Sequence, residues 1–346
     1  MNIFTRSKLN PILKPNKNNA WESRKVYNSG VIFENNQYSL FYRAVGNDWI
    51  SRIGLATSTD GEKFTTAKKP LLSPTEKFEE KGVEDSRIVK IGDKYFLTYT
   101  GFDGATARLK LATSKNLNNW KKVGVLFPDW NFFTNKNFIV TWDKAFNDAH
   151  EDINWSKAGG IFPELINGKY RMLFGDRNIW HATSDDGLKW SANNKPFLEP
   201  RKGSFFDSTH IEMGPPPIKT KKGWLVLYHG INKKIEYKIG FVLLDLKDPT
   251  KIIYRSRKPI FEPSEPYEIN GLVDILPGGF DAPKKMNTKQ IDVFVTKNKQ
   301  LKKMPKVVFC CGAVLRNNKL RIFYGASDSV ICTATAKLED ILKTVK

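Results

Sequence analysis

The sequence predicts an all-β protein, a five-bladed β-propeller closed by its N-terminal strand, and three recurring strings carry that expectation. The first is a Pro-bounded apolar strand: NPILKP at 10–15 returns as KPLLSP at 69–74, KPFLEP at 195–200 and KPIFEP at 258–263, with a worn copy, GVLFP, at 124–128. The second is a turn and a strand: QYSLFY at 37–42, KYFLTY at 94–99, KYRMLF at 169–174, GWLVLY at 223–228 and KLRIFY at 319–324. The third ends the next strand in Ala56-Thr57-Ser58, Ala112-Thr113-Ser114 and Ala182-Thr183-Ser184. Turn, strand, turn, strand and Pro-bounded strand in a kept order read as four-stranded blades. An irregular β-sandwich with chance similarity is the competing arrangement.

In order along the chain, residues 1–26 hold the closing strand and Trp21-Glu22, which leads into blade one. The first Pro-bounded strand precedes the first turn-strand copy, so the N-terminal strand is expected to complete the last blade. Blade one holds Tyr27-Asn28-Ser29-Gly30 and ends a strand in Arg43, which points into a central cavity or lies exposed at the strand end. Blade two opens with Gly82-Val83-Glu84-Asp85-Ser86-Arg87-Ile88. There two carboxylates and a guanidinium stand at a strand entrance, where they converge on a cavity or form a surface ion pair. Its tail ends in Asp148-Ala149-His150-Glu151-Asp152, whose contiguous groups lack the spacing of metal ligands and read as an exposed loop.

Blade three carries Lys157 just ahead of Gly159-Gly160, able to reach an anion near the backbone or to serve as a rim charge. Blade four contains His210-Ile211-Glu212-Met213-Gly214, a rigid triple proline, Tyr228-His229-Gly230 and Tyr237. His229 follows its strand as Arg43 does, a place where a lone histidine is usually structural. A long charged connection spans 264–308; blade five ends its strand in Gly325-Ala326-Ser327-Asp328, and 338–345 reads as a short terminal helix. The whole of 1–346 is read as one domain.

Composition narrows the partners. The 346 residues are 40% hydrophobic and 12% aromatic, enough for a large core. The formal charge is +20, but the lysines lie in short scattered pairs such as Lys68-Lys69 and Lys302-Lys303, not in a stripe. Nucleic acid is therefore not expected as a partner. No apolar run approaches the roughly 20 residues of a membrane span, and the N-terminus does not read as a signal peptide. A cytoplasmic protein without membrane contact is the expectation; a homo-oligomer is left open. Cys310, Cys311 and Cys332 fit neither a disulfide framework nor a zinc site and are expected as reduced core thiols.

Asn28, Ser29, Arg43, Asp85, Lys157, His229 and Asp328 occupy comparable places at strand starts or ends, as groups lining a propeller's central funnel would. Acids, amides and aromatics there suit a sugar. At these residues the sequence resembles glycoside hydrolase family 130, five-bladed propeller enzymes that act on β-mannosides. The motifs of the resemblance run nearly the whole chain: Tyr27-Asn28-Ser29-Gly30, Tyr42-Arg43-Ala44, Gly82-Val83-Glu84-Asp85-Ser86-Arg87, Phe162-Pro163-Glu164, Gly214-Pro215-Pro216-Pro217, Tyr228-His229-Gly230 and Tyr324-Gly325-Ala326-Ser327-Asp328.

The resemblance implies that Asp85 is the catalytic acid of an inverting reaction, its proton passing through a mannose hydroxyl. It implies that Asn28, Ser29, Arg43 and Asp328, with Glu84 beside them, hold the mannose. Arg87, Lys157, His229 and Tyr237 look like the phosphate site of the family's phosphorylases, which release mannose 1-phosphate and need no cofactor beyond inorganic phosphate as co-substrate.

Three departures bear on the nucleophile. Ser86 replaces a common proline, which is expected to loosen the Asp85 segment. No arginine lies between Arg108 and Arg171, where phosphorylases usually offer a phosphate ligand. Glu212 stands where several phosphorylases have glycine and hydrolase-like members a glutamate. The expectation is a phosphorylase of β-linked manno-oligosaccharides. The alternatives are a β-mannosidase with Glu212 or Glu268 as base, and a non-catalytic glycan- or polyanion-binding propeller.

Overall fold

The structure is a computed structural model and describes residues 2–104, 106–130, 155–234, 236–269 and 306–345. It is all-β with almost no helix: Pro266–Ile269 and Leu338–Leu342 are single turns of α-helix, and Ala20–Glu22 is a 3-10 turn. The terminal helix is thus shorter than expected.

The repeated strings become antiparallel strand sets. Lys25–Glu34, Gln37–Val45, Ser51–Ser58 and Thr65–Thr66 pair in succession, as do Gly82–Ile91, Lys94–Phe102, Ala107–Ser114 and Lys121–Val125. A single parallel bridge, Ser51 to Gly82, joins these two sets into one sheet. A further sheet runs Gly160–Ile161, Tyr170–Phe174, Trp180–Ser184, Ser191–Ala192. The next runs Asp176–Arg177, His210–Met213, Gly223–Ile231, Tyr237–Leu244, Ile252–Arg255. In the last, Val308–Arg316, Lys319–Ala326 and Val330–Lys337 are completed by Thr5–Arg6, which pairs with Val330–Lys337 through Thr5–Thr335 and Arg6–Ala334.

Local chemistry explains the hairpins. Asn35-Asn36 and Asn317-Asn318 have both φ angles positive (49° and 57°, 47° and 60°), as tight hairpin turns require, and asparagine tolerates that region. The first strands of three sets then break register between Tyr27 and Gly30, Glu84 and Arg87, and Cys310 and Gly312. These are β-bulges, which re-aim side chains.

The core lies between neighbouring sets. Phe41 and Ile53 pack with Val83 and Leu97; Phe96 and Leu109 with Met172 and Trp180; Phe162 and Leu173 with Trp224 and Val226. Leu227 and Phe241 pack with Ile322 and Tyr324, and Phe323 and Ile331 return to Leu40 and Tyr42. Each set therefore buries its faces against the next, and the last against the first. Cys310, Cys311 and Cys332 are free and buried in this core.

The tyrosine that ends the second string is tied down by a buried acid from elsewhere in the chain: Tyr42 donates to Glu22 at 2.5 Å, Tyr99 to Glu79 at 2.8 Å, Tyr228 to Asp207 at 2.7 Å and Tyr324 to Glu268 at 2.8 Å. Phe174 has no hydroxyl to give. It stacks on Phe127 at 4.4 Å with Trp130 edge-on instead.

Candidate active site

Two of the bulges set the site. Asn28 (φ 47°) and Asp85 (φ 51°) take the left-handed conformation that suits their short polar side chains, and both side chains enter one cavity. The bulged strands press together: a Cβ on Gly30 would stand 2.7 Å from the Ser86 carbonyl oxygen, and one on Gly325 2.3 Å from Asn28 Oδ1. Both glycines are required by that approach. Ser86 is buried and donates to the Phe41 carbonyl at 2.8 Å, so the serine anchors the Asp85 segment where loosening was expected.

Asp85 Oδ1 accepts from Asn28 Nδ2 at 3.0 Å and lies 3.4 Å from Arg43 Nη1. Arg43 also donates to Glu84 Oε1 at 2.6 Å and to Ser51 Oγ at 3.0 Å, with its guanidinium 4.7 Å over the Tyr27 ring. Burial raises the Glu84 pKa, and the neighbouring Asp85 adds to this against the pull of Arg43. Of the two openings for Arg43, the cavity is the one realised.

The cavity encloses about 870 Å3 of empty space, its open mouth included. Asn28, Arg43, Glu84, Asp85, Lys157, Glu212, Tyr237 and Asp328 line it, so eight of the expected site residues are brought together. Asp176, His210 and the aromatic rings of Phe102, Trp155 and Phe309 share the wall and were not singled out from sequence. His210 was legible in principle, since it alternates onto the same strand face as Glu212. Asp176 arrives on a two-residue strand that leaves the set of Tyr170–Phe174 and pairs with His210–Met213, opposite Glu212.

Ser29, Arg87 and His229 do not line the cavity. Ser29 is wholly buried. Arg87 spends three N–H groups on carbonyls, those of Gly214 (2.9 Å), Asp85 (2.8 Å) and Met213 (2.8 Å), clasping the Asp85 backbone to the next set. His229 accepts the Cys310 backbone N–H on Nε2 at 2.8 Å and stacks on Phe309 at 3.9 Å. Burial, with Arg87 and Lys157 nearby, pushes its pKa well below the usual histidine value. His229, expected at the phosphate site, spends its Nε2 on that backbone N–H outside the cavity lining, and a ring nitrogen that accepts carries no proton.

Lys157 is held at 2.9 Å by Asp176 Oδ2 and lies 3.4 Å from Glu212 Oε1. Burial pulls the ammonium's pKa down, but Asp176 and Glu212 outweigh it and keep it charged. Asp176 turns its other oxygen to His210 Nε2; burial raises its pKa, yet His210 and Lys157 bring it below the carboxylate range. Glu212 receives the reverse treatment. Burial pushes it up to about 8, and Lys157 only partly opposes this. Tyr237 is pushed well above its usual value by burial, Glu212 and Asp176.

Asp176, His210 and Glu212 bring ligand atoms within 4.8 Å of one another, a metal-like grouping whose place is already served by the Lys157 ammonium. The acidic run 148–152 lies outside the described residues. Glu268, the other expected base, is corrected: it is fully buried away from the cavity and accepts from Arg6 at 2.7 and 2.8 Å and from Tyr324.

A family model described as beta-1,4-mannooligosaccharide phosphorylase matches residues 3–276 and 299–346. The chain belongs to glycoside hydrolase family 130. Within the family it is 34% identical to a 1,2-beta-oligomannan phosphorylase of Thermoanaerobacter sp. (strain X514), covering 96% of each chain. A beta-1,2-mannobiose phosphorylase of the same organism is 36% identical over 98% of each. The solved family member from Listeria innocua, a beta-1,2-mannobiose phosphorylase in complex with beta-1,2-mannobiose, superposes with a TM-score of 0.75 at 26% identity, over 99% of both chains.

Proposed function

We propose that the chain is an inverting phosphorylase that cleaves a β-1,2-mannosidic bond with inorganic phosphate, releasing α-mannose 1-phosphate. The observation that carries this reading is its similarity, across nearly its whole length, to two phosphorylases named for β-1,2-linked mannosides. The family description names a β-1,4 linkage, but the relatives at 34% and 36% identity favour β-1,2.

Asp85 is the acid. Through a mannose hydroxyl it protonates the glycosidic oxygen as the bond from C1 to that oxygen breaks, and a phosphate oxygen bonds to C1 from the other face, turning β into α. Asn28, Arg43, Glu84 and Asp328 hold the mannose, and Lys157 and Tyr237 meet the phosphate. Ser29, Arg87 and His229 serve as the backing that keeps the bulges and the Phe309 ring in place. The architecture belongs to the same proposal: one domain of five blades in a ring, closed by Thr5–Arg6, supported by five core clusters that each join one strand set to the next. Three free thiols favour a reducing, cytoplasmic setting. Among the described residues no helix is long and apolar enough to cross a membrane.

Incubation with β-1,2-mannobiose tests the reading. Mannose 1-phosphate is expected only when phosphate is present, and mannose 1-phosphate with mannose is expected to run backwards to the disaccharide. Free mannose released equally fast without phosphate overturns it and favours a second reading, a β-mannosidase with Glu212 activating water, which the buried carboxyl on the cavity wall supports. A glycan-binding protein would bind mannobiose and form neither product.

A further inference from the structure

The two carboxyls that flank Lys157 are treated differently by their surroundings. Asp176 accepts the ammonium on one oxygen and faces His210 with the other. Glu212 is 2% exposed, lines the cavity, and its Oε1 has no hydrogen-bond partner among the described residues. Among the described residues, five carboxyls, those of Glu84, Asp85, Asp176, Glu212 and Asp328, share this wall with two full cations, Arg43 and Lys157. A phosphate dianion set against that many ionised acids would be repelled.

We infer that Glu212 meets the phosphate as a neutral carboxylic acid, donating its O–H to a phosphate oxygen beside Lys157, while Asp176 and His210 hold the lysine in place. The inference rests on the phosphorylase reading and gives Glu212 a part opposite to that of a water-activating base. A carboxylate offers only acceptors to an anion, whereas the protonated form supplies a donor. Burial is the main force keeping the proton on, with Asp176 and Asp85 adding to it against Lys157 and Arg87, so that the group loses its proton at about pH 8. His229, paired with Glu212 across the strands, is neutral, and Tyr237 keeps its proton throughout that range. Asp176 is the positioning residue of the arrangement: by holding Lys157 at 2.9 Å it leaves Glu212 Oε1 the longer contact, 3.4 Å.

Phosphorolysis of β-1,2-mannobiose at varied phosphate, from pH 6.5 to 9, tests this in the wild type, Glu212→Gln, Glu212→Ala and Asp176→Asn. Glutamine keeps a donor at the same place. Glu212→Gln is therefore expected to hold the phosphate KM within about threefold of wild type and to abolish its rise above pH 8. Glu212→Ala should raise the phosphate KM by about tenfold or more, the scale of a hydrogen bond to a charged group, with the mannobiose KM unchanged. Asp176→Asn should move the wild-type pH inflection downward, because Lys157 then turns to Glu212. Calorimetric titration of wild type and Glu212→Gln with inorganic phosphate gives the same comparison without turnover.

Loss of turnover in Glu212→Gln as complete as in Glu212→Ala, or an unchanged phosphate KM in Glu212→Ala, overturns the inference and leaves phosphorolysis standing. Phosphate-independent release of mannose by the wild type overturns the phosphorylase reading itself, and the inference with it.

Discussion

Asp85 is held by one amide and one guanidinium on the same oxygen, and its backbone sits in the left-handed region. Asparagine tolerates that backbone equally well, so Asp85→Asn is expected to fold, to bind mannobiose, and to lose about 100-fold or more in kcat, as a missing general acid would cost. Wild-type turnover in a folded variant would remove Asp85 from the reaction. Arg43 and Asp328 reach the same cavity from sets at opposite ends of the chain. Alanine at either is expected to weaken mannoside binding by about 1.5 to 3 kcal/mol, measured by calorimetry.

The residue scale also shows what could be read beforehand. Asn28, Arg43, Asp85, Lys157 and Asp328 were legible because a polar group recurs at the end of an apolar strand. His229 obeys the same rule, yet its ring turns to the Cys310 backbone. A bulge reverses which face each later residue takes, and the hydrophobic alternation of a strand does not say where the bulge falls. That is why recurring position pointed to cavity-lining residues while the facing of Ser29 and Arg87, which stand at the bulges, stayed hidden.

At the scale of elements, the second strand of each set is held by the aromatic residue that closes the repeated turn-and-strand string. Four sets use a tyrosine on a buried acid, and the set containing Phe174 uses ring stacking. The repeat displayed the tyrosines but not the acids, because Glu22 and Glu268 sit in single helical turns and Glu79 and Asp207 in segments outside the strands, all too short to show a periodicity of their own. The same blindness covers Asp176, whose strand is two residues long. Glu268 is wholly buried and takes two N–H groups from Arg6. Arg6→Ala is expected to destabilise the protein by about 3 kcal/mol, since it strands a buried carboxylate, while Tyr324→Phe should cost only about 1 kcal/mol. Urea denaturation of both variants checks the order, and equal losses would show that the ion pair adds nothing beyond the hydroxyl.

For the molecule as a whole, acid is the expected weakness. His181 is buried in the strand Trp180–Ser184, and burial, with the Arg171 guanidinium 3.5 Å away, lowers its pKa to about 4. Between pH 6.5 and 4 the unfolded chain takes up a proton that the folded chain refuses, so stability falls as pH falls through that window. The full effect is about 3 kcal/mol. Denaturation at pH 7 and pH 4.5 should show His181→Gln losing less over this interval than the wild type; equal losses would place the acid sensitivity elsewhere. The succession of strand sets was legible in sequence from the repeated strings, because each string is a strand with its own turn chemistry.

The pairing of Thr5–Arg6 with Val330–Lys337 also imposes an order in time. Thr5 is made well before its partner Thr335, which follows roughly half a minute later at about 10 residues per second. For most of that interval Arg6 has no Glu268, and for nearly all of it Leu13 has no Ile331, so this segment travels without its sheet. The last set, in turn, waits for a strand that has been in solution throughout synthesis. A protease added to stalled nascent chains should therefore trim the first dozen residues until the strand at Val330–Lys337 has emerged, and spare them afterwards.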